Sequence, residues 1–391
     1  MWTIDRDKTI QTLQAMVRIK SVNPGLIEGG AGEAELAEWL ADRCRRMGLE
    51  VQLQESAPGR PNVIARWRGS RGGRSILLTG HTDTVSLENM EGDPLDGRVE
   101  GNRLYGRGAY DMKGGLASIL GAVDALQAGG FQPSGDIWLG FVTDEEYLSI
   151  GSDALVKQIK PDAAILTEPT GCDVCIAHKG FAWLTLTTNG KARHGSLHDE
   201  GVDAIAHMGR LLSVLEKFER EVFPGRSHAL LNRPSAHASM ISGGLGWSTY
   251  PDRCTMQVEH RLLPHESGDD MVALWQREID ALKDADPFFD ATVELDFYRP
   301  GYEIDRDAEI VKTLMGASEQ IHPTPPEYYG MWAWLDSAIL GRAGIPTVIY
   351  GPGGDGAHAA VEYVNLDDVM LCAAVIAETV SRWMQQRGAT Q

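Results

Sequence analysis

Apolar positions along the chain fall into two textures, and the change from one to the other divides it. Ile10, Leu13, Met16 and Val17 recur at helical spacing and predict an amphipathic opening helix. A second helix is expected over 33–47, with Gly48 as its stop signal. Strand-like runs follow at 51–54, 62–67 and 75–79. A glycine-bounded helix at 114–128 leads into an apolar strand at 137–142, and 163–167 is another short strand. Strands alternating with helices predict an α/β domain whose largely parallel sheet is covered on both faces.

Near Gly180 the texture changes. Residues 181–188 alternate with period two, a long helix is expected at about 202–221, and strands follow at 236–241 and 254–262. A helix at 269–284 and a strand at 292–297 complete the order of a two-layer α+β domain. After Pro300 the first texture resumes, with a helix near 308–320 and a buried strand at 347–350. We therefore expect one α/β domain over 1–179 and 298–391, interrupted by an inserted α+β domain over 180–297.

A length of 391 residues suits two domains. A net charge of −19 argues against nucleic acid or an anionic membrane as partner. No apolar run approaches the roughly 18 residues that span a bilayer. The first seven residues lack the apolar core of a signal peptide, so a cytoplasmic address is expected. Five cysteines without regular spacing give no disulfide framework. Cys172 and Cys175 form a lone CxxC that reads as ordinary packing.

Five segments carry residues suited to chemistry. His81 and Asp83 end the run Ile76-Leu77-Leu78-Thr79-Gly80-His81-Thr82-Asp83, where a carboxylate can approach the far nitrogen of a metal-binding imidazole or of a catalytic base. Asp111 lies between glycine pairs in Gly106-Arg107-Gly108-Ala109-Tyr110-Asp111-Met112-Lys113-Gly114-Gly115. Asp144, Glu145 and Glu146 follow the strand at 137–142, and Glu168 follows the one at 163–167. His358 comes after the strand at 347–350, in Gly351-Pro352-Gly353-Gly354-Asp355-Gly356-Ala357-His358. Singly these read as a structural histidine, an N-cap or a solvated loop. Together they would gather Asp83, Asp111, Glu145, Glu146 and Glu168 in one cleft, where such charges need compensation. Two divalent cations nearly balance them, and imidazole with carboxylate suits zinc.

The five motifs, in this order and over nearly the whole chain, resemble the zinc-dependent family of acetylornithine deacetylase, succinyl-diaminopimelate desuccinylase, aminoacylase and carboxypeptidase G. The resemblance implies two Zn2+, for which Co2+ or Mn2+ could substitute. It makes Asp111 the ligand shared by both, His81 and Glu168 the rest of one site, and Glu146 and His358 the rest of the other. Asp83 would orient His81, Glu145 would be general base, and the Asp111–Met112 peptide would be cis. The inserted domain resembles the family's lid and dimerisation domain, implying a homodimer. Its His194 would reach the partner's active site and stabilise the tetrahedral intermediate. Arg261, Ser248 and Gly353 would bind substrate, a small N-acyl amino acid or related amide. Glu259 replaces a commoner aspartate and Ser248 a commoner asparagine, which loosens the transfer of substrate identity. Trp332 and Trp334 replace small residues and read equally well as an acyl pocket or as core.

A dipeptidase or carboxypeptidase of the same family is the alternative activity. Gly351, Gly353 and Gly356 also fit the G-x-G-x-x-G of a dinucleotide-binding oxidoreductase, but a histidine follows where a helix should begin. A non-catalytic homologue is the third reading. Retention of every expected ligand and of Glu145 argues against it.

Overall fold

Asp5 starts the first helix, Arg6–Arg18, by accepting a hydrogen bond from the amide of Lys8 at 3.0 Å. Leu13, Met16 and Val17 form its buried stripe. The second helix, Ala34–Arg46, ends at Gly48, whose φ of +76° is left-handed. The computed structural model describes residues 2–70 and 72–385, which divide into two units.

The first unit comprises Met1–Ile176, Ile304–Tyr329 and Leu335–Gln391. Its main sheet orders the strands Glu50–Ala57, Arg60–Trp67, Ile137–Val142, Ile76–His81, Ala164–Leu166, Thr347–Ile349 and Val174–His178. The four in the middle are parallel, and the flanking pairings are antiparallel. The sheet is therefore mixed, with a parallel centre. Ile76–His81, Ala164–Leu166 and Thr347–Ile349 are buried throughout, as near-continuous apolar strands in a doubly covered sheet should be. Helix Gly114–Ala128 is buried almost all round, and the C-terminal helix Leu366–Gln385 packs against it. A smaller sheet joins Gly354–Asp355, Tyr363–Asn365, Arg103–Tyr105 and Val99–Glu100. Parallel pairing sends four strand exits to one edge, the place where ligands bind in such sheets.

The second unit comprises Ala177–Glu303 and Gly330–Trp334. Its antiparallel sheet orders Ser235–Gly243, Arg253–Leu262, Gly180–Asn189 and Asp290–Arg299. Helices Ala204–Lys217 and Gly268–Ala285 join that sheet in a core containing Leu184, Leu186, Leu211, Met256, Val258 and Trp275. Ser267 and Asp270 close a reciprocal capping box at the start of the second helix. The Trp275 indole donates to Nε2 of buried His260 at 2.9 Å. Truncating Trp275 to Ala would cost about 3–5 kcal/mol by cavity formation. The unit differs from the expected 180–297 by its wider ends and by taking in 330–334. That short return is fixed by tertiary bonds, Lys179 N to the Met331 carbonyl and the Trp334 indole to the Pro300 carbonyl, which local patterning cannot reveal.

Among the described residues no helix is long and apolar enough to cross a membrane. All five cysteines are free and buried.

Candidate metal centre

His81 closes a buried strand, Glu168 lies two residues past Leu166, and Glu145 and Glu146 follow Val142 across a turn. That turn is made by Asp144, a non-glycine residue at φ +72°. Its carbonyl accepts from Ser149 at 2.6 Å, and its carboxylate from Arg60 at 2.7 Å and Asn23 at 3.1 Å. Arg60 is anchored in turn by buried Glu33. The turn lets both glutamates leave the strand toward the centre.

Asp111 lies in the distorted turn Ala109–Lys113, and its bond to Met112 is cis. Gly115 lets this turn seat beside Glu168: a Cβ there would stand 2.2 Å from the Thr167 carbonyl. His358 has a φ of +60°, in a loop closed by Gly356. A Cβ on Gly356 would lie 1.8 Å from the Val361 carbonyl.

These elements produce two overlapping trios, His81–Asp111–Glu168 and Asp111–Glu146–His358, each with ligand atoms within 4.8 Å of one another. His81 Nε2 stands 3.1 Å from Asp111 and 3.8 Å from Glu168. His358 Nε2 stands 3.0 Å from Glu146 and 3.4 Å from Asp111. The Asp83 carbonyl, rather than its carboxylate, bonds His81 Nδ1, at 2.9 Å against 3.5 Å. The Asp83 carboxylate instead accepts from Asn23 and from the amides of Glu145 and Glu146.

With Nδ1–H given to the Asp83 carbonyl, a neutral His81 aims a lone pair at carboxylate oxygens, so a proton or a cation must stand between them. Burial opposes charge on His81, yet Glu168, Asp111 and Asp83 hold its pKa well above the usual value. Bonds to Asp111 and Glu146 push His358 up to about 10. Burial, then the charge of Glu168, pushes Glu145 well above the carboxylate range; burial does the same to Glu168. Buried Oε1 of Glu168 has no hydrogen-bond partner. A converging set of imidazoles and carboxylates with an orphaned buried oxygen fits divalent cations.

The remaining expected site residues divide between the two units. Gly353 belongs to the first unit, where its carbonyl accepts from Asn365 at 2.9 Å. His194, Ser248 and Arg261 belong to the second. Exposed His194 bonds Ser196 at 2.8 Å and pairs with Thr249, while the Ser248 carbonyl accepts from Gly195 at 2.8 Å. Arg261 is ion-paired to Glu259 and stands over Phe181. Trp334 meets Phe181 edge-on, whereas Trp332 is exposed beside Lys179. No helix follows the 351–356 glycines; the next begins at Leu366, so the dinucleotide-binding turn is not formed.

Sequence reading missed several polar residues around the trios. Glu362, Asn89 and Asn23 bond the centre's backbone or its carboxylates. Burial pushes Asp336 up to about 6, and its charge helps raise Glu145 and Glu168. None stands in a recognisable spacing; a lone acid within an apolar run, as Glu362 in 359–364, was the one available signal.

The N-formyl-4-amino-5-aminomethyl-2-methylpyrimidine deformylase of Halalkalibacterium halodurans is 24% identical, over 98% of this chain and 97% of its own. The acetylornithine deacetylase of Myxococcus xanthus is 29% identical over 92% of each. The crystal structure of aminopeptidase PepT from Bacillus cereus shares the fold, with a TM-score of 0.81 at 20% identity over 97% of this chain and 99% of its own. The model of Peptidase family M20/M25/M40 matches residues 77–382, most of the chain. This chain thus belongs to Peptidase family M20/M25/M40 and is a hydrolase of amide or peptide bonds.

Proposed function

We propose that this chain is a two-zinc deacylase that cleaves the amide bond of a small N-acyl amino acid or related amide. The observation that carries this reading is the pair of trios sharing Asp111, with Glu145 one residue before the ligand Glu146. Relatives named for removing acetyl and formyl groups support a small acyl group.

His81, Asp111 and Glu168 would hold one cation, and Asp111, Glu146 and His358 the other. When bound, the cations supply Lewis-acid polarisation of the scissile carbonyl and acidify water. Asp83 keeps His81 in the tautomer whose Nε2 faces the ligands. Glu145, raised by burial and by Glu168, takes a proton from the attacking water and passes it to the leaving nitrogen. His194, exposed on the second unit, would stabilise the developing oxyanion in a partner subunit of a homodimer. Arg261, Ser248 and Gly353 would hold the substrate, with Arg261 exchanging Glu259 for a substrate carboxylate. Free, buried cysteines fit a reducing, cytoplasmic setting.

The test is turnover of a panel of N-acetyl and N-formyl amino acids and dipeptides, with and without chelator. Chelator-sensitive hydrolysis of the acyl compounds is expected. Hydrolysis of dipeptides alone would replace the deacylase by a dipeptidase, and undiminished activity after cation removal would end the reading.

A further inference from the structure

Asp111 and His358 come from distant parts of the chain, and neither lies in a regular element that fixes it. Asp111 has non-helical angles, φ −115° and ψ 92°. His358 is left-handed, a conformation that a side chain with a Cβ adopts where its surroundings impose it.

One cluster surrounds both. Glu362 Oε1 accepts from the amides of Tyr110 at 3.0 Å and Asp111 at 3.1 Å. Its other oxygen takes Nη1 of Arg107 at 2.7 Å, and the two side chains are 1% and 2% exposed. Arg107 Nη2 donates to the Ala359 carbonyl at 3.1 Å and to Asn89 Oδ1 at 2.7 Å, while its Nε bonds the Ser86 carbonyl at 2.9 Å. Asn89 Nδ2 then donates to the His358 carbonyl at 2.8 Å. An unbroken path of hydrogen bonds runs from the Asp111 amide to the His358 carbonyl.

Net stability is a weak reason for such a cluster, because a buried ion pair gains little over apolar packing of the same volume. Geometry is a better one. A guanidinium offers donors in a rigid fork, and here the fork spans both loops that bear ligands.

We propose that Arg107, Glu362 and Asn89 are positioning residues that lock Asp111 and His358 at the spacing the second cation requires. The proposal rests on the ligand assignment made above. His81 and Glu168 leave strands of the main sheet, so the first trio depends on this cluster through Asp111 alone.

Calorimetric titration of chelator-treated protein with Co2+ alone, with visible absorption recorded at each step, tests it in the parent chain, in N89A and in the R107M/E362M double variant. Asn89 is exposed and uncharged, so N89A leaves no lone buried charge; the double variant removes both charges together. Two binding steps are expected in the parent. In N89A the first should stay within about threefold while the second weakens roughly 10–100-fold and its absorption band changes; in the double variant the first also weakens, through Asp111, but by less than the second. Unchanged steps, or equal weakening of both, overturn the proposal. Fewer than two Co2+ bound by the parent overturns the ligand assignment itself, which separates the two failures. If the double variant does not fold, N89A decides alone.

Discussion

Glu145 carries the proton transfer in the proposed reaction, and its neighbours make it a stronger base than a surface glutamate. Glu145→Gln keeps the shape and removes the base, so kcat should fall by about 10²–10⁴-fold with Co2+ affinity and melting temperature retained. Steady-state kinetics that show an unchanged kcat would move the base elsewhere. A second residue-scale effect concerns acid stability. Burial, then the charges of Arg226 and His237, pushes His260 down from 6.5 to about 3. The unfolded chain therefore takes up this proton as pH falls through 6.5, while the folded chain refuses it until about 3. The associated stability is full above 6.5 and is lost toward 3, at up to about 1.4 kcal/mol per pH unit. His260→Gln can still accept from Trp275 and should flatten the fall in melting temperature between pH 7 and 5. An equally steep fall in calorimetry would assign it to other groups. The residues proposed as ligands were legible because each sits in a short ordered motif. Glu362 was not, because what it binds is a backbone amide in a distant turn and a buried arginine.

Apolar elements with sharp polar or glycine boundaries were read nearly to the residue. The helix at 114–128 and the strand at 137–142 form over Gly114–Ala128 and Ile137–Val142. The strand Val174–His178 was hidden in the CxxC region, since five buried residues carry no alternation. The two- and three-residue strands of the smaller sheet are below what any pattern registers. The C-terminal helix Leu366–Gln385 was not among the expected elements, although its buried Val369, Cys372, Ala373, Ile376 and Val380 recur at helical spacing. The loop from 351 to 362 is the element on which the second trio depends. Gly356→Ala would place a Cβ against the Val361 carbonyl at a left-handed φ of +85°. Loss of the second Co2+ step is expected, with the far-ultraviolet circular dichroism of the parent retained. A full two-step titration in this variant would show that the loop can re-form around the methyl group.

Carboxylates gathered in one cleft make the whole first unit sensitive to what neutralises them. Stripping cations should lower its melting temperature, and restoring Co2+ at about 1,000 times its dissociation constant should return roughly 4 kcal/mol. Scanning calorimetry in which chelator moves no transition would separate the centre from stability. The proposed homodimer makes a different demand: sedimentation should show two-chain particles, and His194→Ala should lower kcat. Full activity in a purely monomeric sample would remove His194 from the reaction. The order of strands in the main sheet has a further consequence, one of time. Thr347–Ile349 lies between Ala164–Leu166 and Val174–His178, although it is made long after both. A chain growing on the ribosome therefore holds His81, Asp111, Glu146 and Glu168 well before the strand that belongs beside Ala164–Leu166 exists. Until that strand slots into place, the emerging acidic residues have no finished sheet to arrange them, and His358 follows only a few residues later. Closure of the sheet and completion of the second trio are thus nearly the same late event in synthesis, and a chain cut short before Thr347 would lack both.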